Sequence, residues 1–405
     1  MENILIIPGS KWQVPLISKS KSMGYRVINI NPYDNSPGFE KADIIYKYDI
    51  MRISDYIDII KKLNIAAVIS DECDIATPVV AELADDLGVR GIGKEKAKLF
   101  TNKFCMREFA EEKKIACPKY RLARNKQEAL EFFNNLNRKM IIKPIDSNSS
   151  RGVYTILSQK DLEENFKSAL DYSSSDKAVI CEEYIEGVEF TVDGIMTDFG
   201  HTSLAISEKE HYSYNENIAS SLRFSYKNKK FDYDLLRKLN DDFLNSTGLT
   251  FGLTHVEYKY RNGKFVLIEM GARGGGNLIS AYIVPVLTGI DTYEAYIQMA
   301  MGMKVNKKYE IADKYRNREV ILKFFDIPLN PDKRNIVSKI DGLDLLRDNN
   351  NIIKFELNFK VGEEITIAEN DSMRMGYYIA YADTTSELDN IINNIQQKFV
   401  VTFEE

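Results

Sequence analysis

Residues 254–276 read THVEYKYRNGKFVLIEMGARGGG, and the Asn262-Gly263 pair in their middle decides how the surrounding chain folds. Apolar-rich runs flank it, Thr254 to Tyr260 and Phe265 to Met270, and Asn-Gly is a strong signal for a tight turn between antiparallel strands. Such a hairpin sets Glu257 and Glu269, evenly spaced about Gly263, opposite each other on one sheet face. Two opposed carboxylates repel unless a cation lies between them. Oxygen ligands converging in this way suit Mg²⁺, which takes one or two carboxylates together with nucleotide phosphates. Two solvated glutamates on a wet face are the alternative. Arg273 stands just beyond Glu269, and three glycines follow it.

The chain around this hairpin has 405 residues, too many for one ordinary core, and its length predicts two or three domains. With 44% hydrophobic and 28% charged residues it has the composition of a soluble globular protein. A net charge of -6 supplies no bulk positive field, so neither nucleic acid nor membrane is an expected partner. Cys73, Cys105, Cys117 and Cys181 never form CxxC, which argues against a zinc site or a disulfide framework and for a reducing compartment. MENILIIPGS lacks the basic start of a signal peptide, and no apolar run approaches the roughly 18 residues needed to span a bilayer. A cytoplasmic location is expected.

Residues 1 to 95 alternate strand and helix signals. NILIIPG, YRVINI and AAVIS read as strands; the stretch up to Gly24, DYIDIIKKLN and TPVVAELADDLG read as helices. That order predicts a doubly wound parallel α/β sheet whose strand ends, near Gly9-Ser10, Asn31 and Ser70-Asp71-Glu72, line one ligand-binding edge. GxGxxG is absent after the first strand, against a dinucleotide fingerprint. Residues 96–305 begin with a helix through LFTNKFCMREFAEEKK and continue with short strands, including RKMIIKPI, GVYTIL, KAVICEEYI and EFTVDGIM. Residues 306–405 hold three further strands and a closing helix, SELDNIINNIQQKF.

Two more stretches carry chemistry. In MIIKPIDSNSSRGVY, Lys143 ends an apolar strand ahead of a loop of small polar residues, a place where backbone N–H groups and a lysine can cradle phosphate. An ordinary hairpin loop is the alternative. In VICEEYIEGVEF a strand runs through Glu182-Glu183-Tyr184-Ile185, turns at Gly187 and resumes with Glu189. A linker of this kind can offer backbone groups to an adenine edge and a carboxylate to ribose hydroxyls, although a hairpin with solvated acids reads equally well.

Taken in order, the helix lysine Lys103, the strand pair Lys143-Pro144, the small-residue loop, EEYIEGVE, the two glutamates and Arg273 resemble the ATP-grasp superfamily over roughly residues 1–400. The resemblance lies with the branch that holds biotin carboxylase, carbamoyl-phosphate synthetase, ribonucleotide formyl-transferring enzymes and bacterial L-amino acid ligases. The C-terminal pattern is similar to the last of these. It implies an α/β and α+β chain: an N-terminal doubly wound parallel domain (1–95), an ATP-grasp domain (96–305, small lobe about 115–185) and a C-terminal α+β closing domain (306–405). It also implies the cofactors ATP and Mg²⁺. Lys103 and Lys143 would bind phosphates, and the loop with Ser147, Ser149, Ser150 and Gly152 would close over them. The backbone of Glu183 and Ile185 would meet adenine with Glu182 beside it, Glu189 would bind ribose, and Glu257 and Glu269 would hold the metal. Arg273, with Lys143, would act in catalysis, and Lys209 would reach the terminal phosphate from a loop.

The expected activity is ADP-forming ligation of a small-molecule carboxylate to an amine, of an amino acid or amino sugar; the resemblance leaves the oligomeric state open, relatives being commonly homodimers. Activation of formate or bicarbonate is the rival, and a nucleotide-binding module without turnover is a third reading. Many relatives carry Asn as a third metal ligand where Gly271 stands, so the chain holds one Mg²⁺, or a second one completed by phosphates, water or another residue such as Asn277. GGGNLISAY replaces the Val-Glu-His run of carboxylases, and no biotin-carrier segment is visible. His255 shares the Glu257 strand face and reads as a supporting or structural residue; Gln13 faces the substrate or simply belongs to its helix. The glycines after Arg273 would let backbone amides approach the activated carboxylate.

Overall fold

The computed structural model describes residues 1–147, 151–174, 176–305 and 308–404. At the N-terminus, β1 (Asn3–Ile6), β2 (Arg26–Asn31), β3 (Ile44–Lys47) and β4 (Ile65–Ile69) form a parallel sheet in the order β3-β2-β1-β4. The inner strands are apolar on both sides because both faces are covered. Ile4 and Ile6 share a core with Leu16 and Ile17 of the helix Val14–Ser22. Leu5 and Ile7 turn to the other face, toward Val79 and Leu83 of the helix Ala76–Leu87. Two local readings change. Strand β3 was not among the expected strands; it lies at the sheet edge, with alternate residues exposed. The expected helix DYIDIIKKLN is one α-turn, Ile57–Ile60, between two 3₁₀ turns, and it stops at Asn64 in the left-handed region with φ 47°.

The second sheet, β5 (Tyr120–Ala123), β6 (Met140–Pro144), β7 (Tyr154–Ile156) and β8 (Val179–Glu183), is antiparallel in the order β5-β8-β6-β7. Helices Lys126–Leu136 and Gln159–Asp171 contribute Ala129, Leu162 and Phe166 to its core. Ahead of it, the single helix expected through LFTNKFCMREFAEEKK is two, Lys94–Leu99 and Lys103–Glu112. The Asn102 side chain accepts the Cys105 amide at 3.0 Å and so starts the second helix at Lys103.

The largest sheet comprises β9 (Val188–Thr197), β10 (Gly200–Tyr212), β11 (Asn215–Ser225), β12 (Gly252–Arg261), β13 (Lys264–Gly271) and β14 (Glu319–Phe324). The last hundred residues add β15 (Val337–Asp341), β16 (Ile352–Leu357), β17 (Gly376–Ala382) and β18 (Val400–Phe403). The ladder runs β13-β12-β9-β10-β11-β14-β17-β16, while β15 and β18 pair separately. One hydrogen-bonded sheet therefore joins the glutamate hairpin to the C-terminal strands. Residues 205–225 lie mostly in the β10-β11 hairpin.

Strand periodicity sorts this sheet into two faces. Phe190, Val192, Ile206, Val256 and Tyr258 share a core with Leu236, Phe243 and Leu244 of the helix Tyr233–Ser246. The alternate residues Glu189, Thr191, Asp193, Lys209, His255, Glu257 and Lys259 take the opposite face. Among the described residues no helix is long and apolar enough to cross a membrane.

Candidate active site

The two glutamates meet only because the hairpin is irregular. Asn262 and Gly263, with φ 51° and 81°, form the two-residue turn, so that Arg261 pairs with Lys264 and Tyr258 with Leu267. Continued unbroken, that register would set Glu257 against Ile268 and turn Glu269 to the apolar face. A shift between Glu257 and Tyr258 skips Ile268 and restores the Glu257–Glu269 pair. The side chain of Arg107, fully buried, donates from NH2 to the Ile268 carbonyl and so serves the backbone group that the bulge sets apart.

Each glutamate carries a lysine. Lys103 Nζ lies 2.8 Å from Glu269 Oε1 and donates to the Ser147 carbonyl at 2.7 Å. Lys209 is not on a loop as expected: it sits within β10, cross-strand from Glu189, and reaches Glu189 at 2.5 Å and Glu257 at 2.9 Å. Burial disfavours the Lys209 charge, but the two carboxylates overcome it and hold the ammonium above the ordinary lysine range. Burial likewise opposes ionisation of Glu189, yet Lys209 and His211 bring its carboxyl down to about 2. Glu257, half-buried, is held well below the usual range by Lys209 and His255. His255, judged structural or supporting, has Nδ1 2.9 Å from Asp193 and Nε2 3.6 Å from Glu257. It thus supports Glu257 directly.

Glu182 does not present a free carboxylate beside an adenine site. Arg107 Nε and Lys143 Nζ each lie 2.8 Å from one of its oxygens, and all three side chains are buried. The carboxylate orients Lys143, whose ammonium burial pushes below the ordinary lysine value. Removing one member of a buried charge cluster strands the others, so Glu182→Ala is expected to cost about 3–5 kcal/mol of stability, read by chemical denaturation. An unchanged midpoint would show that the cluster carries no stability.

Glu183 is buried under Arg138 and Arg261, at 2.7 and 2.8 Å, and its amide donates to the Lys119 carbonyl. Its N–H is therefore spent. Two residues on, the buried Ile185 has neither backbone group hydrogen-bonded among the described residues. Ser149 and Ser150 lie outside the described residues. Gly152 has φ 72° and packs where a Cβ would meet Pro144 and Tyr172 at 2.9 Å, so its glycine answers a packing need.

The N-terminal sheet edge closes the site from the other side. Arg273 pairs through Nε and NH2 with both oxygens of Asp74, each at 2.7 Å, and donates from NH1 to the Gly274 carbonyl at 2.8 Å. Burial works against the guanidinium, but Asp74 holds its pKa above the usual arginine value. Two of the three glycine amides do not wait for substrate: Gly274 N–H donates to Asp71 at 2.7 Å and Gly275 N–H to Asp193 at 3.0 Å. Gly274 and Gly275 serve close packing, whereas a Cβ on Gly276 would meet nothing within 4 Å. A Cβ on Gly275 would lie 2.6 Å from His255 Nδ1 and 2.7 Å from Asp193 Oδ1. Gly275→Ala is expected to lower stability by about 1–3 kcal/mol, seen as a reduced melting temperature, because two tightly held side chains must move.

Glu72 shares this edge in the left-handed region with φ 54°. One carboxylate oxygen accepts the Leu278 amide at 2.9 Å and the other is buried without a partner among the described residues. Burial and Asp71 keep its pKa well above the ordinary value. Gln13 is buried and donates to the Asp71 carbonyl at 2.6 Å, so it braces the edge instead of facing substrate. At Gly271 a Cβ would make ordinary contacts, 3.4 Å to Arg273 and 3.5 Å to Asp74. A longer side chain there would run into the Arg273–Asp74 pair.

These groups converge on a cleft of about 440 Å³. Lys103, Lys143, Ser147, Glu182, Glu183, Ile185, Glu189, Lys209, Glu257, Glu269 and Arg273 all line it, as does Asn277. Asp74, Arg107 and Asp193 were missed by the sequence reading. The alternation in EFTVD and HVEYK was the available signal for Asp193; nothing local marks Asp74 or Arg107. Among the described residues no group of three or more His, Cys, Asp or Glu forms a metal cage. Two in-register carboxylates at a cleft suit Mg²⁺ completed by phosphate oxygens.

A family model described as the ATP-grasp domain matches residues 136–281, which include β6, the β9-β10 pair, both glutamates and Arg273. The chain carries an ATP-grasp domain. Its fold is the ATP-grasp fold: the L-amino acid ligase from Bacillus licheniformis superposes with a TM-score of 0.83 at 18% identity, over 100% of this chain and 99% of that one. Among curated relatives, the formate-dependent phosphoribosylglycinamide formyltransferase of Sulfurisphaera tokodaii is 24% identical over 317 residues, 75% of this chain and 77% of its own. Dapdiamide A synthase of Enterobacter agglomerans is 24% identical over 193 residues, 46% and 45% of the two chains. ATP-grasp enzymes use ATP with Mg²⁺, and the carboxylate pair and lysines of this cleft are of the kind that ATP-grasp chemistry calls for.

Proposed function

We propose that this ATP-grasp chain is an ADP-forming, Mg²⁺-dependent ligase that activates a carboxylate as an acyl phosphate and joins it to an amine of an amino acid or amino sugar. The observation that carries the reading is the convergence of Glu257, Glu269, Lys103, Lys143 and Arg273 on one cleft. A carboxylate is a poor electrophile because its charge repels nucleophiles and its oxide leaves badly. In the first step its oxygen attacks the terminal phosphorus of ATP and ADP departs. In the second the amine nitrogen attacks the acyl carbon, phosphate leaves, and the nitrogen loses a proton to give the amide. Both steps call for positioning and charge neutralisation more than for a nucleophilic side chain.

Glu257 and Glu269 would hold Mg²⁺, which supplies charge neutralisation on the phosphates. Lys103 and Lys143 would bind phosphate oxygens. The free backbone groups of Ile185 and the carbonyl of Glu183 meet adenine, and Glu189 meets ribose. Lys209 holds Glu189 and Glu257 together, and Arg273 neutralises the transferring phosphoryl group. In this reading residues 1–95 and 306–405 flank the ATP-grasp domain and wall the substrate end of the cleft.

Trp12, Phe324 and Arg374 also line the cleft, which extends it beyond what a one-carbon acid fills. Against this, the 75% coverage by a formate-dependent relative favours formate activation as a second reading. ADP release measured over panels of acids and amines separates the two. Release that needs both an acid and an amine supports ligation; release that depends on formate, with no acid of the panel active, would replace it.

A further inference from the structure

Arg374 enters the cleft from the C-terminal segment, on a wall that supplies none of the phosphate-handling groups. Phe324, Asp371 and Ser372 line the cleft beside it. Its guanidinium carbon lies 3.8 Å from the Phe324 ring centroid, Nε donates to the Ala219 carbonyl at 3.2 Å, and NH2 lies 2.6 Å from Asp371. Asn370 sets the turn that carries it, accepting the Ser372 amide at 3.0 Å and hydroxyl at 2.5 Å. The arginine is thus fixed in place before any ligand arrives.

Two guanidinium nitrogens are spent in this way, and NH1 has no partner among the described residues. The side chain is only 10% exposed. Burial outweighs Asp371 and holds the guanidinium below its ordinary value, the reverse of Arg273, where Asp74 prevails. A buried cation whose charge is under-compensated, with N–H groups free at a cleft, suits an anion, and the planar fork suits a carboxylate.

We propose that Arg374 binds the free carboxylate of the amine-donating substrate. That substrate is then an amino acid, and the product keeps a carboxylate near the new amide bond. The inference rests on the ligase reading. The acid undergoing activation must turn its carboxylate to the metal pair and Arg273, so a second arginine on another wall serves a second carboxylate.

Trp12 is the only tryptophan of the sequence and lines the same cleft, so its fluorescence reports binding there. The test titrates wild type, Arg374→Gln, Arg374→Met and Arg374→Lys with the common amino acids and their carboxamides, in the presence of a non-hydrolysable ATP analogue. In wild type at least one amino acid is expected to bind roughly tenfold or more tightly than its carboxamide. Arg374→Gln and Arg374→Met erase that preference, Arg374→Lys keeps part of it, and affinity for the analogue is unchanged. Arg374→Met retains the stem over Phe324, so loss of packing is separated from loss of the charge. A preference that survives in both neutral variants overturns the proposal, as does a wild type that favours no amino acid over its carboxamide. ADP formation from acid plus amine judges the ligase reading on its own, because it can hold without the carboxylate preference and the preference can hold without turnover.

Discussion

Glu269→Gln is expected to lower ADP formation by about 10²–10³-fold while leaving the fold intact, since it removes a charge from the point where phosphoryl charge must be neutralised. The amide keeps the shape and one oxygen of the carboxylate. Lys103 loses its ionic partner but retains the Ser147 carbonyl at 2.7 Å, so the helix that begins at Lys103 has no reason to unfold. Glu257→Gln should act in the same direction but with a second consequence, because Glu257 also helps hold Lys209 at 2.9 Å. Turnover followed against Mg²⁺ concentration checks the assignment. A weakened carboxylate pair demands more metal, so raising Mg²⁺ should recover part of the Glu269→Gln activity. A variant that turns over like wild type at limiting Mg²⁺ would remove the metal pair from the site.

The second large effect is expected at Asp74, which no motif singles out. Asp74→Asn leaves Arg273 with one neutral amide oxygen and the Gly274 carbonyl at 2.8 Å in place of a two-bond ion pair. Both side chains keep some exposure, 17% and 22%, so the stability loss should stay near the lower end for a broken ion pair, about 3 kcal/mol. Turnover should fall further than stability alone explains, because an arginine freed from its partner no longer meets the phosphoryl group in one geometry. Arg273→Met should lower turnover by about 10²–10³-fold. If Asp74 acts through Arg273, the double variant should be scarcely slower than Arg273→Met alone; losses that multiply would give Asp74 a separate role.

How far the site could be read in advance followed from how local its causes were. The hairpin, the strand ending in Lys143, the capped helix that starts at Lys103 and the alternating polar positions of β9 and β12 all rest on short-range rules of turn chemistry and side-chain period. Lys209 was given to a loop, because a polar, tyrosine-rich stretch hides the long β10-β11 hairpin that carries it. Glu182 was selected without the two cations that hold its carboxylate. Its carboxylate points between Arg107 and Lys143, which come from a helix and a strand far from it in the chain.

The sequence by itself determined that a carboxylate pair, two lysines and an arginine would lie in order along an ATP-grasp chain, because strand period and turn type act over a few residues. Only the tertiary structure decided which charge answers which. The Ile268 bulge that brings Glu269 round to Glu257 is stabilised by Arg107 from another element. Arg273 is oriented by Asp74, which lies 199 positions earlier in the chain. Those pairings depend on which surfaces are buried against each other, and burial is a property of the packed chain, which no short stretch of residues carries alone.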